Sequence, residues 1–160
     1  MGFDNSGVTA MKRIMLAAGV AACLVANVAS AQERGTAAEA EAMVKKAVAF
    51  LKQNGPEKAY AEFSNKKGQF VDRDLYVMVH SFEGKCLAHG ANDKLIGRDM
   101  MDVQDSDGKT YMKERMDLAK TKVSFWQDYK FTNPVSKKIE PKAAYCERVD
   151  NTTVCSGIYK

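Results

Sequence analysis

Three groupings of side chains set out the chemistry open to this 160-residue chain. Cys86-Leu87-Ala88-His89 brings a thiol near an imidazole, the pairing that nucleophilic catalysis uses. On a short strand, however, strict alternation points Cys86 and His89 to opposite faces. The chain has two histidines, His80 and His89, and carries no G-x-S-x-G, H-E-x-x-H or phosphate-loop pattern, so it reads as a binder and not an enzyme. Asp105-Ser106-Asp107-Gly108, with Glu114 following, is the second grouping. With Gly108 set at the glycine of a calcium loop, Asp105, Asp107 and Glu114 take ligand positions three, five and twelve, but Val103 stands at position one, where an acid is required. The alternative to a calcium-binding module is a polar turn ahead of a helix starting near Tyr111, its acids close to the positive helix end. The third grouping is aromatic and basic. Trp126 and Tyr129 offer flat apolar walls, Lys142 a cation for a carboxylate, Tyr111 and Tyr145 phenol donors, and His89 an imidazole. Such a set suits a small organic anion. Each member also has a plainer use, the aromatics in a core and Lys142 on a solvated strand. Alternation separates Lys142 from Tyr145, and Trp126 from Tyr129, unless a bulge or a strand end intervenes.

The elements that must position these residues follow from spacing. Over residues 36–54, Ala40, Met43, Val44, Ala47, Val48 and Leu51 recur at intervals that predict an amphipathic helix. Gly55 stops it, and Pro56 opens a second short helix over 57–63. Residues 75–81, rich in β-branched and aromatic side chains, and residues 85–89 predict a hairpin about Glu83-Gly84. Met112, Met116 and Ala119 have helical spacing within 111–120, and 123–131 is strand-like. Residues 143–149 and 152–159 form a last hairpin closed by Asp150-Asn151, a favoured tight-turn pair. That turn sets Val149 opposite Thr152 and Cys146 opposite Cys155 in a non-hydrogen-bonded register, with Cα atoms about 4.5 Å apart and within disulfide reach. The alternative is two reduced thiols acting as small apolar residues. Cys86 is left unpaired in either case. Two helices, two strands, a helix and three strands make a small α+β domain.

The first 31 residues read as an address and not as fold. Met11-Lys12-Arg13 gives a positive start, residues 14–28 are a small-apolar run with Asn27 as its one polar residue, and Ala29-Ser30-Ala31 is a cleavage motif before Gln32. The pattern predicts a secretory signal peptide, with Met11 as the functional start. The run of roughly 15 residues is short of the about 20 that span a bilayer. Val20-Ala21-Ala22-Cys23 resembles a lipoprotein box, but the apolar run continues past Cys23. Cleavage leaves residues 32–160, a length suited to one domain, with 22 basic against 19 acidic residues and a net charge of +3. That mild, interspersed charge implies neither nucleic acid nor membrane as a partner. The expected mature chain is soluble, in the periplasm or outside the cell. C-x-x-C-H is absent, so no covalent haem is implied, and no cofactor is expected.

The element order, together with DLYVMV and its Gly84 turn, CLAHG, LIGRDMMDVQDSDGKTY, Trp126 and Tyr129, Asn133-Pro134, PKAAY and the closing SGIYK, resembles the single Cache family. These are extracytoplasmic PAS-like domains that bind small molecules for bacterial receptors. The resemblance covers residues 36–160. It implies a five-stranded antiparallel sheet with a long N-terminal helix packed on one face. It also implies a pocket between the sheet and residues 99–120, with Lys142 beside it, His89 near the mouth, and Trp126 and Tyr129 enclosing the apolar part of a small ligand. In the commonest context such a domain is fused to a membrane helix and a kinase or chemoreceptor module. This chain ends at Lys160 in its last strand, so the expectation is a freestanding sensor or solute-binding protein for a small organic anion, or a docking partner of a separate membrane receptor or kinase.

Overall fold

The computed structural model describes residues 33–160; the leader and cleavage site read in the sequence lie outside them. The first element, α1 (Ala37–Phe63), starts at a capping box. The Glu39 amide donates to the Thr36 hydroxyl, and the Glu39 carboxylate accepts from the Thr36 amide at 2.7 Å. These bonds and the Arg73 guanidinium hold the Glu39 carboxyl down at about 2. The expected break at Gly55 is present as a kink within one helical element. Gly55 has φ 77°, a conformation that costs glycine nothing, and Pro56 restarts the helix behind it. On either side of the kink, Val44, Ala47, Val48, Leu51, Ala59 and Phe63 form one buried stripe.

A five-stranded antiparallel sheet lies against that stripe. Its strands are β3 (Met78–Ser81), β4 (Cys86–His89), β5 (Ser124–Thr132), β6 (Ile139–Val149) and β7 (Thr152–Tyr159), in spatial order β4-β3-β7-β6-β5. The Asp150-Asn151 turn sets the predicted register, with Val149 opposite Thr152 and Cys146 opposite Cys155. Asp150 takes the positive φ, 50°, that such a turn requires. Cys146 and Cys155 are disulfide-bonded, Cα atoms 4.1 Å apart, and Cys86 is a free buried thiol.

Two departures from simple strand reading shape the pocket side. The expected strand over 75–81 is divided at Val77. Its amide donates to the Phe70 carbonyl, so β2 (Leu75–Tyr76) pairs with β1 (Val71–Asp72) in a separate two-stranded ribbon. In β4, Ala88 faces Val79 while Cys86 faces His80, so Leu87 is an extra, bulged residue. Across the far face run the short 3-10 helix Asp93–Leu95, a long loop and α2 (Tyr111–Thr121). That loop also guards the open edge of β5. Asp105 Oδ2 accepts from the Lys130 amide at 3.0 Å, and Lys109 Nζ donates to the Asp128 carbonyl at 2.5 Å.

The sheet therefore separates two cores. Between sheet and α1 lies an apolar cluster that includes Phe63, Phe70, Val77, Val79, Ala88 and Val154. Between sheet and α2 lies a second one, with Met78, Met100, Met112, Met116, Phe125, Tyr129 and Tyr159. Only the second contains buried full charges.

Candidate functional site

Alternation along each strand delivers one set of side chains to the α2 side. Gln127, Tyr129 and Phe131 come from β5, Lys142 from β6 opposite Tyr129, Tyr159 from β7 opposite Lys142, and Met78 and His80 from β3. His89 comes from β4 opposite Met78. Arg115 descends from α2, in the stripe of Tyr111, Met112, Met116 and Ala119. Arg115 and Lys142 are 0% and 1% exposed, so both cationic side chains are fully inside the protein.

Lys142 lies among aromatic groups. Its Nζ donates to Tyr76 Oη at 2.7 Å and Tyr159 Oη at 3.4 Å. It also sits 3.9 Å from the Tyr76 ring centre and 4.7 Å from that of Tyr159. Tyr159 Oη donates onward to the Thr132 carbonyl at 2.8 Å. Arg115 Nε donates to Gln127 Oε1 at 3.0 Å, its Nη1 approaches Met78 Sδ at 3.9 Å, and its Nη2 has no hydrogen-bond partner in the protein. The Tyr111 hydroxyl and His80 Nδ1 are likewise buried without a partner. A small cavity, about 10 Å³ open to the centre of a water molecule, is lined by Met78, His80, His89, Tyr111, Arg115 and Tyr129, with Leu95, Met100 and Phe131. Buried polar atoms without partners around a small cavity are groups that a bound ligand satisfies.

The electrostatics point the same way. Asp74 is the one carboxylate buried among the described residues. Its Oδ1 accepts from the Gly35 amide at 2.7 Å, and its Oδ2 has no partner. Burial, then the Arg115 charge, push the Lys142 ammonium well below its usual range, with Asp74 pulling the other way. Burial, then Lys142 and Arg115, push His89 down to about 3. His89 Nδ1 accepts from the amides of Ala91 and Asn92 at 3.3 and 3.0 Å, so its ring proton belongs on Nε2. Burial raises Tyr111 to about 12 and moves Tyr76, Tyr129 and Tyr159 upward as well, so these phenols remain neutral donors.

Of the residues singled out in the sequence, His89, Tyr111 and Tyr129 line this cavity, and Lys142 packs beside it, opposite Tyr129, without lining it. Trp126 and Tyr145 do neither. They pair with each other across β5 and β6, ring centres 5.5 Å apart, on the opposite face of the sheet. The β5–β6 register runs without interruption, so no bulge turns either side chain over. Tyr145 Oη instead donates to Glu147 at 3.0 Å, and Trp126 is 38% exposed.

Cys86 and His89 reverse the expectation of opposite faces. The bulge at Leu87 brings both to the pocket side. They do not form a nucleophile–base pair: the Cys86 thiol is directed to the Ala88 carbonyl at 3.7 Å, and burial raises it to about 11. The acids of the would-be calcium loop have separate partners. Asp105 accepts from the amides of Asp107, Lys109 and Lys130; Asp107 pairs with Lys130 at 2.8 Å and Glu114 with Lys109 at 2.7 Å.

Tyr76, His80, Arg115, Gln127 and Tyr159 escaped sequence reading. A signal existed for Arg115, an arginine inside the apolar stripe of α2. A larger open groove of about 260 Å³ lies over the β5–β6 edge. Tyr129 and Lys142 line this groove too, beside the ion pairs Lys130–Asp107 and Lys160–Asp128.

Residues 11–159 match the family described as Single Cache domain 2. Among solved structures, the chain is similar to a methyl-accepting chemotaxis protein from Vibrio parahaemolyticus, at 22% identity and TM-score 0.65, over 76% of this chain and 86% of that one. It is similar to the periplasmic sensor domain of a chemotaxis protein, at 22% identity and TM-score 0.59, over 74% and 86%. It is also similar to a Cache chemosensory domain solved to explain carboxylic acid recognition, at 22% identity and TM-score 0.65, over 76% and 91%. No curated protein sequence matches the chain at a significant level. A helix on one face of a β4-β3-β7-β6-β5 sheet, a charged pocket on the other, and a family match across the domain lead to one conclusion: the chain belongs to the single Cache domain 2 family.

Proposed function

We propose that this domain is an extracytoplasmic binding module for a small organic anion, a carboxylate, held between the sheet and residues 95–115. The observation that carries the reading is the charge inventory of the pocket. Arg115 is a fully buried cation whose Nη2 has no partner, Lys142 beside it is a fully buried amine in no ion pair, and the one buried carboxylate, Asp74, is already engaged by the Gly35 amide. A buried cation without a counter-charge is unfavourable by several kcal/mol, and an anionic ligand supplies the missing charge. Arg115 Nη2, Tyr111 Oη and the Nε2–H of His89 are the donors for its oxygens, and Leu95, Met100 and Phe131 are the apolar end of the site. The cavity of about 10 Å³ has room for about one water molecule, so binding requires its lining side chains to move apart, least for ligands of few carbon atoms. The leader over residues 1–31 supports export and a mature start at Gln32, which mass spectrometry of the exported protein checks.

A thermal-shift screen of formate through butyrate, dicarboxylates, amines and amino acids tests the ligand class. A binder at 100 times its dissociation constant stabilises the domain by about 2.7 kcal/mol. Arg115→Ala and Lys142→Ala should each weaken that binder by about 2 to 5 kcal/mol. A preference for amines, or unchanged affinity in both variants, overturns the reading.

A further inference from the structure

We propose that ligand binding in this pocket is coupled to proton uptake, with Lys142 Nζ as the group that takes the proton from solvent; the inference rests on the anion-binding reading above. Around Lys142 lie Asp74 from the β1–β2 turn, Tyr76 from β2, His89 from β4, Arg115 from α2, Tyr129 from β5 and Tyr159 from β7, and the groove it lines also carries Asp105, Asp107, Lys109, Asp128, Lys130 and Lys160. None of the ion pairs among the described residues includes Lys142. Its hydrogen bonds go to two neutral phenols, and a neutral amine makes them as readily as an ammonium. Arg115, permanently charged, repels a second positive charge beside it. In the unliganded domain these conditions favour the neutral amine.

An anion placed against Arg115 reverses the balance at Nζ. Its charge offsets the repulsion from Arg115 and gives an ammonium the partner it lacks. The proton comes from bulk solvent and the ligand stays a carboxylate. The competing acceptor is His80, whose Nδ1 lies in the cavity lining without a partner, and a His80 variant separates the two. His89 Nδ1 already receives two backbone amides, so protonating it would break both bonds, and its Nε2 carries the ring proton. The phenols are protonated throughout, and Asp74 is held as an acceptor by Gly35. Affinity therefore falls as pH rises, up to about tenfold per pH unit between the titration of Lys142 in the free domain and its titration in the complex. A receptor domain so built would report anion and acidity together.

Titration calorimetry tests this with the tightest binder among formate, acetate, propionate, butyrate and succinate. It is run from pH 5.5 to 9.5 in buffers of low and high protonation enthalpy. The expected result is uptake of up to one proton per ligand within that range and an affinity that weakens with rising pH. Lys142→Arg, which carries a permanent charge, should bind without uptake, and His80→Gln should keep the uptake per ligand bound. Binding by the wild-type domain with no uptake at any pH overturns the coupling alone. Uptake that persists in Lys142→Arg or disappears in His80→Gln overturns Lys142 as the acceptor. No carboxylate binding at any pH overturns the pocket reading and the coupling with it.

Discussion

The two faces of the sheet share the same strands but obey different rules. The α1 face is closed by Val44, Leu51, Phe63, Phe70, Val79 and Val154, side chains whose burial contributes about 1.5 to 3 kcal/mol each. Phe63 and Phe70 meet edge to face, ring centres 4.7 Å apart, and Phe50 packs on both. The α2 face, built from the alternate residues, buries Arg115, Lys142, His80 and His89 and leaves Arg115 Nη2 and His80 Nδ1 unpaired. One face is arranged for stability, and the other retains unfavourable groups that a ligand can satisfy. On the proposed reading an anion supplies the partners that this face lacks, and the apolar face offsets the cost of leaving them unpaired.

Acid should produce the largest contrast between the faces. His89 is held down to about 3 and His80 well below its ordinary value, both mainly by burial. Each has a folded value below its unfolded one, near 6.5. The stability from keeping them neutral is therefore complete above about pH 6.5 and is lost as pH falls toward about 3, on the order of 5 kcal/mol for His89 over the whole window. Urea unfolding from pH 8 to 4, compared with His89→Gln, checks this; equal slopes in the two proteins would break the contrast.

On the other face, Phe63→Ala should cost about 3 to 5 kcal/mol by opening a cavity in the apolar cluster, without changing the shape of that acid profile. Urea unfolding measures both quantities, and an altered acid slope would mean that the two cores are not independent. A smaller effect of opposite sign is expected at the pocket. Arg115→Met should leave the domain equally stable or more stable by about 1 to 4 kcal/mol, while removing anion binding, because a buried charge without a full set of partners is replaced by packing. A clear loss of stability would make Arg115 a structural residue. The smallest change sharpens the helix side alone: Thr36→Ala removes the capping box and should lower stability by about 1 kcal/mol, read by thermal unfolding, with pocket affinity unchanged.

Much of the frame was legible in the chain. The three- and four-residue spacing of Ala40 to Leu51 marked the helix stripe, and Gly55-Pro56 marked its kink. The Asp150-Asn151 turn determined the register that joins Cys146 to Cys155. Strand alternation alone separated Trp126 from Tyr129 and Tyr145 from Lys142, and the uninterrupted β5–β6 register keeps them apart. These are local facts, since periodicity and turn chemistry act over a few residues. Tertiary structure decided what each face became. Whether Lys142 would be solvated or buried depended on Tyr76 and Tyr159, 66 and 17 residues away in the chain. Arg115 became a pocket cation only because α2 lies across the sheet and directs it to Gln127. The bulge at Leu87, which turned Cys86 and His89 to one side, is a property of the β3–β4 pairing and has no turn or spacing signal of its own. Burial, desolvation and charge pairing depend on neighbours remote in sequence, so the sequence by itself determined the elements and their faces, while packing determined which face would bury charge.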